Sequence, residues 1–271
     1  MSTCVEKLPC KDCGSSDSIQ TYLNVDDALG MEWYTSFCHG ECWEQKGDPY
    51  TSAPAPKVHV KSAQEIKEEL DDIVSCKLFD KKFRMIPGKY YEKFRCRLLL
   101  SEFDGKTPYA IGFPMTYKDN LIGWKCRPLK KKEFYGIGKT SGADPFGFHR
   151  AMKIGGKSLW ITEGEFDAIA LEYCLCVAGG GSDYPVVSLT HGGGSIAKNL
   201  NGIKDRIAEF DNIVFVLDDD IVGRQAEEVA KELLGDRAYF IRKPDGCKDA
   251  NDAVKFDEVL MMGRLALGMI K

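Results

Sequence analysis

The stretch Ile213–Arg224, I-V-F-V-L-D-D-D-I-V-G-R, constrains the fold of this chain more than any other. Apolar residues without polar alternation run directly into three aspartates. Such a run predicts a strand over Ile213–Leu217 buried on both faces, as in a parallel sheet. Open α/β sheets place their ligands at the carboxyl ends of these strands. In an extended chain Asp218 and Asp220 point one way and Asp219 the other. Two carboxylates on one side repel, and a hard divalent cation relieves that conflict. The competing reading is structural: an aspartate N-cap in front of a helix over Ile221–Leu234.

The neighbouring sequence decides between them. From Ser158 onward short apolar runs alternate with helical patterns. Leu159–Ile161 reads as a strand, followed by Glu163-Gly-Glu-Phe-Asp167 and a helix through Tyr173. Pro185–Leu189 is a strand, followed by His191-Gly-Gly-Gly194 and a helix to about Phe210; Ala238–Ile241 is the fourth strand. Strands alternating with helices imply parallel pairing and right-handed crossovers. Glu163, His191, Asp218, Asp220 and Asp249 then collect along one sheet edge. His191-Gly-Gly-Gly194 resembles an esterase oxyanion loop, but no G-x-S-x-G nucleophile elbow accompanies it. A glycine turn that lets backbone approach phosphate is the better reading.

The first 50 residues have a different character, rich in Cys, Asp, Ser and Gly. Cys10 and Cys13 form one close pair, Cys38 and Cys42 a second. Two close pairs in a segment with so little aliphatic content predict a four-thiolate zinc site on a small ribbon. The C-x3-C spacing of the second pair leaves His39 or Cys4 open as a replacement ligand. Trp33, Tyr34, Phe37 and Trp43 surround that pair, either packing a small core or stacking on unpaired bases. Eleven cysteines without a secretory leader point to a reducing compartment, and no apolar run is long enough to span a membrane.

Thr51–Lys57, with two prolines, reads as a linker. Ser62-Ala-Gln-Glu65 is a capping box for a helix with Ile66, Leu70, Ile73 and Val74 on one face. The chain as a whole carries a net charge of −4, yet residues 81–132 hold 14 Lys/Arg against four Asp/Glu. Lys118-Asp-Asn120 marks a hairpin whose second strand puts Lys125 and Arg127 on one face, suited to a phosphate backbone. Gly136-Ile-Gly-Lys139-Thr140 lacks the first glycine of a Walker loop, with Glu133 in its place. Its glycines are expected to form a flexible loop that lets Lys139 approach a triphosphate.

Taken together, E-G-E-x-D at Glu163–Asp167 and D-x-D-x-x-G-R at Asp218–Arg224 resemble a TOPRIM domain. With a cysteine ribbon in front, the chain resembles a DnaG-like TOPRIM primase, and most of all the primase half of T-seven-type bacteriophage primase–helicases. Pro9–Asp17, Ile161–Glu165, Pro185–Leu189 with His191-Gly192, and Lys248–Asn251 carry that resemblance across nearly the whole chain. The resemblance departs in three places: the C-x3-C pair, an insertion around Asn24–Met31, and Tyr135 and Ser141 where the phage family has lysines.

The resemblance implies template-directed synthesis of short RNA primers on single-stranded DNA from ribonucleoside triphosphates. The fold expected is α/β: a TOPRIM parallel sheet with helices on both faces, preceded by a basic α+β subdomain and an N-terminal zinc ribbon. The boundaries expected are 1–50 for the ribbon, 51–61 for the linker, 62–157 for the basic subdomain and 158–271 for the catalytic subdomain. It implies catalytic Glu163, Asp167, Asp218, Asp220 and Asp249, with Mg²⁺ or Mn²⁺ held by Glu163, Asp218 and Asp220. Glu163 is either a ligand or the base. Zn²⁺ falls to Cys10, Cys13, Cys38 and Cys42, and nucleotide or template contacts to Lys125, Arg127, Lys139, His191, Arg224 and Lys248. A replicative helicase and a DNA polymerase are the expected partners, in the cytoplasm of a phage-infected bacterial host. Two rival readings are a TOPRIM nuclease or topoisomerase-like enzyme, and a single-stranded-DNA-binding protein without catalysis.

Overall fold

The computed structural model describes residues 2–12, 14–26, 31–39, 62–101, 103–190 and 196–268. Cys13, Cys42, Trp43, the expected linker and His191 lie outside them. The chain divides into two compact units, Met1–Lys61 and Ser62–Lys271.

The first unit is a three-stranded antiparallel sheet of β1 (Ser2–Leu8), β2 (Ile19–Asp26) and β3 (Met31–Cys38), in that order. A tight turn precedes β2, closed by the Gly14 N–H on the Cys10 carbonyl at 3.0 Å. Cys10 and Cys38 are buried, whereas Trp33 and Tyr34 are half-buried. Successive strand residues face opposite sides of the sheet, so Trp33 and Tyr34 lie on different faces. Tyr22 stacks on Phe37, with ring centroids 5.3 Å apart, and its hydroxyl lies 2.9 Å from Nε2 of His39.

The second unit opens with α1 (Ala63–Ser75), whose capping box forms as its sequence predicts. Ser62 Oγ accepts from the Glu65 N–H at 3.2 Å, and Glu65 Oε2 accepts from the Ser62 N–H at 2.7 Å. Ile73 is buried but Val74 is exposed, because the helix turns it away from the sheet. After α2 (Gly88–Lys93) come β4 (Arg97–Leu100), β5 (Pro108–Tyr117), β6 (Asn120–Pro128) and β7 (Tyr135–Gly138), an antiparallel sheet in chain order. Lys118 and Asp119 both take positive φ, 46° and 70°, the two-residue hairpin turn that matches strand twist. Gly136 and Gly138 lie within β7 rather than in a flexible loop. A Cβ on Gly138 would stand 2.9 Å from the Ile122 carbonyl oxygen and from Leu70 Cδ2, so close packing, not mobility, requires glycine there.

Beyond α3 (Phe148–Ile154) the chain is α/β: β8 (Ser158–Thr162), α4 (Glu165–Ala178), β9 (Val186–Ser188), α5 (Ile196–Ile203), β10 (Asn212–Val216), α6 (Ile221–Leu234), β11 (Ala238–Phe240), α7 (Ala250–Lys255) and α8 (Val259–Ala266). The four strands are parallel throughout, in the order β11-β10-β8-β9. Alternation splits β10 between two cores. Ile213, Phe215 and Leu217 pack with residues of α5 and α6, while Val214 and Val216 join a core containing residues of α4, α7 and α8. Both sheet faces are therefore covered, which explains the absence of polar alternation in the strand. Phe113 of β5 meets Phe166 of α4 edge-on at 5.0 Å, so the antiparallel sheet shares that second core. Among the described residues no helix is long and apolar enough to cross a membrane.

Candidate active site

Register brings the acids together. Thr162, the last residue of β8, pairs with Val216, the last of β10. The two strands end level, and Glu163 and Asp218 meet: Glu163 Oε1 accepts the Asp218 N–H at 2.8 Å. Asp220 caps α6, its Oδ1 accepting from the Gly223 N–H at 2.8 Å. The N-cap residue is also one of the charges that act on Asp218, so the two readings of the aspartate run do not compete. Gly223 is confined by the same turn, since a Cβ there would lie 2.1 Å from the Asp218 carbonyl oxygen. Asp219 turns to the surface and meets Arg224 at 3.3 Å.

Two further acids approach from other elements. Asp167, in the first turn of α4, accepts from the Asn251 side-chain amide. Asp249 caps α7, accepting from the Asp252 N–H at 2.7 Å. Burial and the charges of Glu163, Asp249 and Asp220 push Asp218 up to about 6. Burial, then Asp249, raises Asp167 to about 7. These are acids pressed together without enough positive charge to hold them all ionised.

The basic strand face meets the start of α4. Lys125 Nζ bonds Oε1 of Glu165, which is 3% exposed, at 2.7 Å. Lys125 also lies 4.5 Å from the Phe134 ring centroid. The guanidinium groups of Arg127 and Arg84 lie 5.0 and 4.2 Å from the Phe166 ring centroid. Arg127 is 9% exposed, and its buried Nε has no hydrogen-bond partner. The pair is therefore not mere solvated surface: Lys125 has an acid partner, and Arg127 is packed against aromatic rings. Lys93, another of the central basic residues, is drawn inward to Glu172 and Asp183. Lys139 follows β7, the edge strand of the antiparallel sheet, and is exposed, as are Arg224 and Lys248.

Among the described residues, the trio whose possible ligand atoms lie within 4.8 Å of one another is Glu172, Cys176 and Asp183, not the strand-end acids. Cations already occupy that trio, with Arg150 Nη2 2.5 Å and Lys93 Nζ 3.3 Å from Glu172 Oε1. Sequence reasoning also missed Arg84, Glu165, Lys243 and Asn251 as neighbours of the site. Glu165 and Asn251 stand inside motifs already singled out. Nothing in the local pattern marks Arg84 or Lys243, which reach the site through the fold of distant loops.

Residues 160–254 match the Toprim-like domain family. The chain is 26% identical over 252 residues to the DNA helicase/primase of Enterobacteria phage T3, covering 90% of this chain and 40% of that protein. Its fold matches the crystal structure of the primase fragment of the bacteriophage T7 primase-helicase protein with a TM-score of 0.58 at 24% identity, covering 96% of this chain and 98% of that one. It also matches the zinc-binding and RNA polymerase domains of the Aquifex aeolicus primase, with a TM-score of 0.56 at 16% identity, covering 92% and 78% of the two chains.

Proposed function

We propose that this chain, which carries a Toprim-like domain at residues 160–254 within a primase fold, is a DNA primase. It makes short RNA primers on single-stranded DNA from ribonucleoside triphosphates. The observation that carries this reading is the convergence of Glu163, Asp167, Asp218, Asp220 and Asp249 at the carboxyl ends of a parallel sheet, with Asp218 and Asp167 pushed up to about 6 and 7.

The donor set fits Mg²⁺ or Mn²⁺. It is all oxygen, and Asp218 is lifted by burial and then by like charges, a repulsion that a hard divalent cation relieves. Glu163, Asp218 and Asp220 would hold the ion, with Asp167 and Asp249 adding negative charge behind them. Such an ion, when bound, lowers the pKa of the attacking 3′-hydroxyl and offsets charge on the transferring phosphate. The protein positions this chemistry: Glu163 fixes the Asp218 amide, and Asp220 fixes the helix start. Arg127, with its unpartnered Nε, and Arg84 flank the same helix turn as Asp167, where a triphosphate or template phosphate suits their charge. Lys139, His191, Arg224 and Lys248 complete the proposed nucleotide and template contacts, and Lys125 joins them through Glu165.

The first unit is read as a zinc ribbon bound by Cys10, Cys13, Cys38 and Cys42. Burial of Cys10 and Cys38 on a small sheet supports this, as does the likeness to a primase structure that includes a zinc-binding domain. Substituting Cys38→Ser should take zinc content from about one per chain towards none. The chain spans about 40% of the phage T3 relative's length, and that relative is a helicase as well as a primase. A replicative helicase and a DNA polymerase are accordingly the proposed partners, in an infected bacterial cytoplasm.

The test is incubation with labelled ribonucleotides, Mg²⁺ and mixed single-stranded DNA. Di- to tetranucleotide products support priming. Nicking of added DNA indicates a nuclease instead, and binding without product indicates a catalytically inert DNA-binding protein.

A further inference from the structure

The strand-end acids have a resident cation that the function above does not use. Lys243 lies beyond β11 and reaches across to the residue that follows β10, its Nζ donating to the carbonyl oxygen of Leu217. Leu217 directly precedes Asp218. The loop is held in place by the Ile241 N–H on the Phe215 carbonyl at 3.0 Å, which extends the pairing of β11 with β10 past Phe240. Lys243 therefore extends from a fixed backbone, and it grips the carbonyl from which the aspartate run departs. Its charged head group therefore stands at the peptide that joins Leu217 to Asp218, beside the acids.

We propose that Lys243 is a positioning residue that sets the divalent-metal affinity of the acid cluster. It fixes the direction in which Asp218 leaves β10 and supplies a built-in positive charge that a bound metal must work against. The inference rests on the metal reading given above. Like charges repel, so a cation held beside the ligands weakens metal binding while steadying the metal-free protein. Without Lys243 the cluster is more negative, so it draws a divalent cation more strongly while its own repulsion goes unrelieved.

The test is Mn²⁺ binding to the full chain, read from loss of the free-ion electron paramagnetic resonance signal, together with melting in chelator. Lys243→Met keeps the apolar stem and removes the charge; Lys243→Arg keeps the charge. The Met variant should bind Mn²⁺ more tightly, on the order of tenfold at low salt, with the gap narrowing as salt rises. It should melt a few degrees lower in chelator and recover when Mn²⁺ is added. The Arg variant should stay near wild type in both measurements. If wild type and the Met variant bind Mn²⁺ equally, or the Met variant binds it more weakly, Lys243 does not set affinity. If wild type binds no Mn²⁺ at all, the metal reading itself fails and takes this inference with it.

Discussion

Helix α4 carries acids in two opposite situations. Asp167, in its first turn, sits among other carboxylates and is raised to about 7. Glu172, about a turn and a half further along, is wholly buried at 0% exposure, yet Arg150 and Lys93 both reach it and the Tyr184 N–H donates to it at 3.3 Å. One cluster is short of positive charge and lies where strands end. The other is surrounded by cations and lies where helices and loops pack. A fold that places two cations on one buried glutamate can pair its acids, so the deficit at the strand ends is specific to that place. On the proposed function, that contrast separates an acid kept for chemistry from an acid kept for structure.

The contrast breaks most visibly by neutralising the two clusters in turn. Asp218→Asn or Asp220→Asn should lower primer synthesis by at least about a hundredfold, the scale of losing an electrostatic stabiliser of the transition state, while circular dichroism shows the fold retained. At the other cluster, Arg150→Met strands Glu172 with Lys93 as its remaining cation. Breaking a buried ion pair costs about 3–5 kcal/mol, so denaturant melts should show a large loss of stability. Synthesis per folded molecule should be nearly unchanged. If Arg150→Met lowers activity without lowering stability, the division between the clusters is wrong.

The acid dependence of stability sharpens the same point. Asp218 and Asp167 hold protons more tightly in the folded chain than in the unfolded one, where carboxylates titrate near 4. Their contribution is therefore fully present below about pH 4 and is lost as pH rises through about 6 and 7. In chelator, Asp218→Asn should match wild type in stability near pH 4 and exceed it by about 2 kcal/mol near pH 7.5. A constant difference across that range means that Asp218 is not raised. Lys125→Met leaves the buried Glu165 without its 2.7 Å partner. A loss of about 1–3 kcal/mol follows from an unsatisfied buried carboxylate, together with a modest flattening of the salt dependence of single-stranded DNA binding.

Much of the parallel sheet was legible in the chain because its signal is local. The apolar run before Asp218 announces a strand buried on both faces, and Ile221–Leu234 forms the helix expected there. The acids were legible for the same reason, since each directly follows a strand or opens a helix. Charge pairing was not legible. The basic excess around residues 81–132 gives no sign that Lys93 turns inward to Glu172 or Lys125 to Glu165, because those partners are 79 and 40 residues away. Packing at Gly138 was hidden likewise, as the group that excludes a side chain there belongs to α1 and β6.

On the proposed function, the strand-end acids crowd together with a deficit of positive charge that a divalent metal would fill, whereas Glu172 already has its cations. The most direct measurement is thermal melting of wild type, Asp218→Asn and Glu172→Gln with and without saturating Mn²⁺ at pH 7.5. Ligand binding to the folded state alone raises stability by mass action, about 2.7 kcal/mol at a hundredfold excess over Kd. Wild type should rise by several degrees, Glu172→Gln by the same amount from a lower starting point, and Asp218→Asn by almost nothing. An equal rise in Asp218→Asn would mean that Asp218 does not hold the metal, and a rise abolished by Glu172→Gln would place the metal at the other cluster; either result contradicts the division between the clusters.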